Sequence, residues 1–378
     1  MKMIGIIAEY NPFHRGHEWQ LRALRRRFGA DAALVVALGG CFTQRGEAAV
    51  FTKYARAEAA VRCGADLVLE LPLPWATSSA EGFARGGVGI LNALGNVDAL
   101  AFGSECADLP RLMRIAEALD GSDWEPLLRE NLASGVGYAK ARQLALEALL
   151  DEPLPELSSR NDILAVEYLR ALRAQKSDME ACPLPRCADF PPASELRERS
   201  DFADALPEAA AEVFRREQAC GRVQRPGVLE AAMLARLRSM SAAEYAALPG
   251  AAEGLENRLR KAAWTSGSMA ELVQKTVTKR YPAARVRRMA LAAFLGIPTG
   301  LERTEPTYLR VLAMNGRGRQ VLHAASPSLP LVTKPADGKR DPVAQLEARA
   351  CALYALGFEN PEMRSGAMDL RATPYIGG

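Results

Sequence analysis

Two imidazoles stand three residues apart at His14-Arg15-Gly16-His17, and the 378-residue chain has one other histidine, His323. Glycine between them lets backbone N–H groups approach a ligand where a helix begins, and a helix N-terminus attracts anions. Paired imidazoles beside such a terminus suit the phosphates of a nucleotide, where negative charge must be stabilised as it moves between oxygens. A metal pair is the weaker reading, because no Cys/His cluster supplies further ligands. A turn holding a structural histidine is the plain alternative, and the strand-loop-helix setting favours phosphate chemistry over it.

That setting is read from the first hundred residues. MIGIIAE, DAALVVAL, DLVLELP and VDALAFG are short runs apolar on both faces, as buried parallel strands are. Residues 17–27, 52–63 and 78–94 between them read as helices, the second opening on the capping residue Thr52 and closing before Gly64. Strands alternating with helices predict an α/β fold with a doubly wound parallel sheet. Ligands of such sheets bind beyond the carboxyl ends of the strands. Three polar, glycine-bearing loops should meet there: residues 9–17, residues 39–47, and Gly103-Ser104-Glu105. Neither GxxxxGK[ST] nor a G-x-G-x-x-G after the first strand is present, so neither a P-loop ATPase nor a Rossmann dehydrogenase is supported. Cys41 in the second loop has no histidine outside the first loop as an obvious base, so it reads as turn filler rather than a nucleophile.

The remaining features set the organisation. Hydrophobic residues make up 49% of the chain, enough for more than one core. No apolar run reaches the roughly eighteen residues of a membrane span, and the N-terminus lacks the long apolar core of a signal peptide. Seven cysteines form an odd set without a CxxC pair, which suits a reducing compartment, so the expected location is cytoplasmic. Net charge is +3, yet residues 257–320 carry thirteen Lys and Arg against three acids, +10 against −7 for the rest. Such asymmetry is the footprint of a polyanion-binding region, with solvated helix faces as the alternative. The expected division is residues 1–200 as the sheet domain and 201–378 as a mainly helical, basic region. Within the latter, 329–333 reads as a short strand and 343–356 as a helix.

Several long motifs make the chain recognisable: GIIAEYNPFHRGH (5–17), GGCFTQRGEAAVFTKYARAEAAVRCGADLVLELP (39–72), SAEGFARGGVGIL (79–91), LAFGSE (100–105), GYAKARQLAL (137–146), NDILAVEYLRAL (161–172), ENRLRKAA (256–263), KRYPAARVRRM (279–289) and YLRVLAMNGRGRQVL (308–322). On these the chain resembles the bacterial tRNA(Met) cytidine acetate ligase family, within the HIGH-motif nucleotidyltransferase superfamily. The resemblance implies a two-step enzyme. Acetate and ATP would give acetyl-adenylate and pyrophosphate, and the acetyl group would pass to N4 of the wobble cytidine of elongator tRNA(Met); Mg²⁺ with the ATP is expected from phosphoryl chemistry in general. Carried onto this sequence, the ATP contacts are Ile7, Ala8, Glu9, Tyr10, Asn11, Pro12, Phe13, His14, Arg15, Gly16, His17, Glu18, Trp19 and Gln20, then Gly103, Asn161 and Arg186. The superfamily's late Ser/Thr-x-x-Arg phosphate element falls on Ser194 and Arg197.

His14 and His17 are the expected catalytic pair, stabilising phosphate charge while a carboxylate oxygen attacks the α-phosphorus directly. Lys279, Arg280, Arg285 and Arg288, flanking Pro282, are the expected tRNA contacts. Two departures stand out: Asp162 replaces a second Asn of the relatives, and Pro282 with alanines replaces threonines in the basic block. Two other functions fit parts of the pattern. An adenylyltransferase joining a small phosphorylated substrate to a nucleotide would not need the +10 segment. A non-catalytic RNA-binding protein on a retired scaffold would not need an intact His14, Gly16 and His17.

Overall fold

The computed structural model describes residues 1–187, 189–197, 203–334, 338 and 340–378. The four apolar runs form β1 (Met3–Ala8), β2 (Ala33–Gly39), β3 (Leu67–Leu71) and β4 (Ala99–Ser104). β5 (Glu180–Pro185), β6 (Leu309–Met314), β7 (Leu331–Val332) and β8 (Tyr375–Ile376) complete the sheet among the described residues. Its order is β5-β4-β1-β2-β3-β6-β7, with β8 also paired to β6. β1 to β5 run parallel, while β6 lies antiparallel to β3.

Successive strand side chains point to opposite faces, and both faces are covered. Ile4, Ile6, Leu34, Val36 and Val68 meet the helices Arg15–Phe28 and Lys53–Arg62 through Leu21, Leu24 and Ala57. Met3, Val35, Ala37, Leu67 and Leu69 meet the helices Ala80–Leu94 and Arg160–Ala174 through Phe83, Val88, Val166 and Leu169. The predicted cap is in place, Thr52 Oγ1 accepting from Ala55 N–H at 3.1 Å.

Past residue 203 the chain is mainly helical. Leu237, Leu255, Leu259, Leu272, Val286 and Met289 pack as a helical cluster of their own. The strand expected near 329–333 is β7, and the helix expected over 343–356 is Pro342–Ala355. The sheet nevertheless draws on both sides of residue 200, since β6, β7 and β8 all come from the C-terminal part.

A buried ionic cluster fastens that part to the sheet. Lys53, fully buried, binds Glu70 of β3, Glu347 at 2.9 Å and Asp369 at 2.8 Å. Arg310 of β6 binds Asp369 at 2.7 Å. Burial works against the Lys53 charge, but the surrounding carboxylates outweigh it and hold the ammonium far above its ordinary pKa.

Candidate active site

β1 has β2 on one side and β4 on the other, so the direction of winding reverses at β1, and a crevice opens beyond the carboxyl ends of β1 and β4. It is a cleft of about 580 Å³. Arg56, buried in the helix Lys53–Arg62, fixes its floor by donating to the backbone carbonyls of Glu9, Gly39, Gly40 and Phe51.

His14 is the N-cap of the helix Arg15–Phe28, and its Nδ1 accepts from Gly16 N–H at 3.0 Å. His17, inside the first turn, accepts on Nδ1 from His14 N–H at 3.3 Å. The rings lie 3.8 Å apart between centroids. Because each Nδ1 is an acceptor, each neutral imidazole carries its proton on Nε2 and offers an N–H to the cleft. Burial, aided by the nearby Arg186, lowers the His14 pKa to about 4, and burial next to His14 puts His17 well below its ordinary value. The pair is therefore neutral at pH 7. Gly16 is required by this arrangement, since a Cβ there would come 2.8 Å from His14 Cε1.

Opposite the histidines, Glu105 organises the far wall. It accepts from Asn161 Nδ2 at 2.6 Å, from Ser159 Oγ and from Arg186 Nη1 at 3.4 Å. These donors hold its carboxyl below the ordinary range even though burial acts the other way. Asn161 is not the helix cap, because Ser159 takes that position. Asp162 is buried and accepts from Ser104 Oγ and from the backbone N–H of Glu105 and Cys106, anchoring the turn after β4. A carboxylate suits those donors, which accounts for the departure at this position.

The HIGH Nucleotidyl Transferase family model matches residues 1–369. The tRNA(Met) cytidine acetate ligase of Acetivibrio thermocellus is 35% identical over 410 residues, covering 98% of this chain and 98% of the relative. That of Syntrophotalea carbinolica is 36% identical over 359 residues, covering 88% and 85%.

The chain belongs to the tRNA(Met) cytidine acetate ligase family.

The crystal structure of Thermotoga maritima TmcAL bound with alpha-thio ATP matches at a TM-score of 0.90 with 32% identity, covering 100% of this chain and 99% of that one. Its apo form matches at 0.93 with 30% identity.

The cleft brings together most residues singled out in this ligase-family sequence. Ile7, Ala8, Glu9, Tyr10, Asn11, His14, Gly16, His17, Trp19, Gln20, Gly103, Asn161, Arg186, Ser194 and Arg197 line it. Four stand outside. Pro12 and Phe13 are buried beneath the loop, and Arg15 and Glu18 face a neighbouring groove with Arg22, Arg26 and Arg62. Ser194 sits within the short helix Ala193–Leu196 rather than capping it, and Arg197 donates to the Asn11 carbonyl at 2.7 Å.

Gln44, Arg45, Glu105 and Ser159 also line the cleft and were not singled out as ligand contacts. The first three lie in the loops after β2 and β4 that the strand-end rule names, residues 39–47 and 103–105, but the rule does not say which side chain of a loop turns into the cleft. Glu9 Oε1 accepts from Gln44 N–H at 2.6 Å, and burial raises the Glu9 pKa. Cys41 is buried against Cys351, Sγ to Sγ 3.4 Å, behind the cleft.

The four basic residues expected to meet tRNA divide into two pairs. Lys279 and Arg280 are exposed in the loop before the helix Ala283–Leu295. Arg285 is half-buried and paired with Glu253 at 3.3 Å. Arg288 turns toward the cleft loop and donates to the Gln44 carbonyl at 3.3 Å. Some of the +10 segment is structural for the same reason: Arg310 is in the buried cluster, and Arg317 donates to the carbonyls of Ala30 and Ala32.

Proposed function

We propose that this cytoplasmic enzyme activates acetate with ATP as acetyl-adenylate and transfers the acetyl group to N4 of the wobble cytidine of elongator tRNA(Met). The observation that carries the reading is the convergence of His14, His17, Gly103, Asn161 and Arg186 on one cleft at the switch point of the sheet. The names of the relatives and the alpha-thio ATP in the T. maritima structure agree with it.

In the first step a carboxylate oxygen attacks the α-phosphorus, the bond to the β-phosphate oxygen breaks, and pyrophosphate leaves. Nε2–H of His14 and His17, with the N-terminus of the helix Arg15–Phe28, donates to phosphate oxygens as charge shifts between them. Asn161 and Arg186 hold the nucleotide, and Glu105 holds both of them in register. At Gly103 a Cβ would meet only Arg186 Cγ, at 3.8 Å, so the protein itself does not demand glycine there, and close approach of the nucleotide supplies a reason. In the second step the cytidine amine attacks the acyl carbon and AMP leaves.

Residues 1–200 carry the adenylylation site and 201–378 the tRNA contacts, with Lys279 and Arg280 the freest of the four cations. Among the described residues no group of three or more His, Cys, Asp and Glu is arranged to hold a metal of the protein's own. Mg²⁺ carried by the ATP would need only one or two carboxylates beside the phosphates, and Glu9 and Glu105 are the carboxylates that line the cleft.

The test is exchange of labelled pyrophosphate into ATP with acetate, propionate or no carboxylate. Exchange that depends on acetate is expected. Exchange without any carboxylate, or none with acetate, overturns the reading.

A further inference from the structure

Among the described residues one tryptophan and one tyrosine are exposed and no phenylalanine is, Trp264 at 64% and Tyr138 at 49%. Trp264 lies in the last turn of the helix Leu255–Thr265, whose Leu255, Leu259, Ala262 and Ala263 are buried. Arg260 and Lys261, both exposed, precede it by four and three residues, the spacings that bring side chains to one helix face. Two more cations cover the helix end. Arg238 donates to the carbonyls of Ala263 at 3.0 Å and Ser266 at 2.7 Å, and Lys275 donates to the Thr265 carbonyl at 2.6 Å. Bare carbonyls at a helix C-terminus would repel a phosphate, and here positive groups screen them. The acid beside this end, Glu271, is paired with Lys275 at 2.6 Å.

Tyr138 makes the placement more than a single coincidence. It opens the helix Tyr138–Leu150, and the preceding Gly137 packs so closely on Lys279 that a Cβ would come 2.2 Å from the Lys279 carbonyl oxygen. Both exposed aromatics therefore adjoin the basic segment. A second copy of the chain is a poor occupant, because a symmetric contact would set these cations against each other.

We propose that Trp264, flanked by Arg260 and Lys261, is a stacking platform for an unpaired nucleobase of the RNA substrate, with the two cations on the adjoining phosphates. This rests on the tRNA reading above and deepens it. Any base has a π-face that can lie on an indole, whereas a duplex keeps its base faces covered. The ring thus selects RNA with open loops, while phosphate contacts set position without reading sequence.

The experiment measures binding of the full chain, without ATP, to an elongator tRNA(Met) transcript and to a blunt RNA duplex of equal phosphate number. Trp264→Ala should weaken tRNA binding about tenfold or more, the range of a lost base stack, and leave duplex binding unchanged. Trp264→Phe should keep most of the affinity, which separates lost stacking from lost folding. The salt dependence should be unaltered in Trp264→Ala but shallower by a little under one per cation in Arg260→Ala and Lys261→Ala. Unchanged tRNA affinity in Trp264→Ala, equal loss on the duplex, or dissociation of a dimer in light scattering overturns the platform. If the unaltered chain shows no preference for tRNA over duplex, the substrate reading itself fails, whereas a preference that survives in Trp264→Ala sinks the platform alone.

Discussion

Arg288 reaches from the helix Ala283–Leu295 to the backbone carbonyl of Gln44, 3.3 Å away, and so joins the basic segment to a wall of the nucleotide cleft. Gly46 makes this possible, because a Cβ there would come 2.6 Å from Arg288 N. The other end of Gln44 is held by Glu9.

Arg288→Ala should therefore raise the ATP requirement of pyrophosphate exchange severalfold, while the Lys279→Ala/Arg280→Ala double variant should impair only acetyl transfer to tRNA. The two assays at fixed salt distinguish them, and an Arg288→Ala variant that affects tRNA alone would show that the contact is not used. Gly46→Ala, at a φ of +80°, should cost about 1–3 kcal/mol in a denaturant titration.

Removing either imidazole should slow exchange by about two to three decades, the usual effect of losing one positioned donor. His17→Ala also removes the acceptor for His14 N–H, so the helix start should lose about 0.5–2 kcal/mol. Saturating single-turnover rates read the first effect and thermal unfolding the second.

The pH dependence follows from the neutral pair. With His14 lowered to about 4 and His17 also lowered, exchange should show no imidazole step between pH 6 and 8. The unfolded chain takes up these protons near pH 6.5, before the folded one does. This contribution to stability is thus complete above about pH 6.5 and is lost as pH falls toward 4. Melting curves across that window check the sign, and a rise in stability on acidification would contradict it.

Arg186→Ala should raise the KM for ATP more than it lowers kcat, since a half-exposed cation holds ground and transition states alike. Glu105→Gln should change the same parameter in the same direction but less, because its amide keeps one acceptor for Asn161 or Arg186. Steady-state kinetics with varied ATP give both numbers.

Lys53→Met should destabilise the chain by about 3–5 kcal/mol, because it strands the Glu70, Glu347 and Asp369 carboxylates in the interior. Equilibrium unfolding measures the loss, and a change below about 1 kcal/mol would mean that the cluster reprotonates freely.

The sheet from β1 to β4 was legible because its strands are apolar on both faces, and the placing of His14 and His17 together in the candidate cleft because imidazoles are rare in this chain. The place of β6 was not. Leu309–Met314 reads as apolar, but no local pattern specifies an antiparallel partner as distant as β3. Charge counting likewise could not distinguish Lys279, in solvent, from Arg310, buried against Asp369. Glu105 was quoted with its loop, yet its hold on Asn161 and Arg186 depends on three segments meeting.

The late arrival of β6 also imposes an order on biosynthesis. β3 is complete once residue 71 has been made, whereas the strand that covers its free edge ends at residue 314. At ordinary elongation rates the ribosome takes on the order of tens of seconds to cover that interval. Throughout it, the nascent sheet presents the open edge of β3, whose Leu67, Val68 and Leu69 are apolar, and such an edge can recruit a neighbouring chain. The cleft loops can form early on the nascent chain, but the β3 edge beside them is covered only after residue 314 has been made.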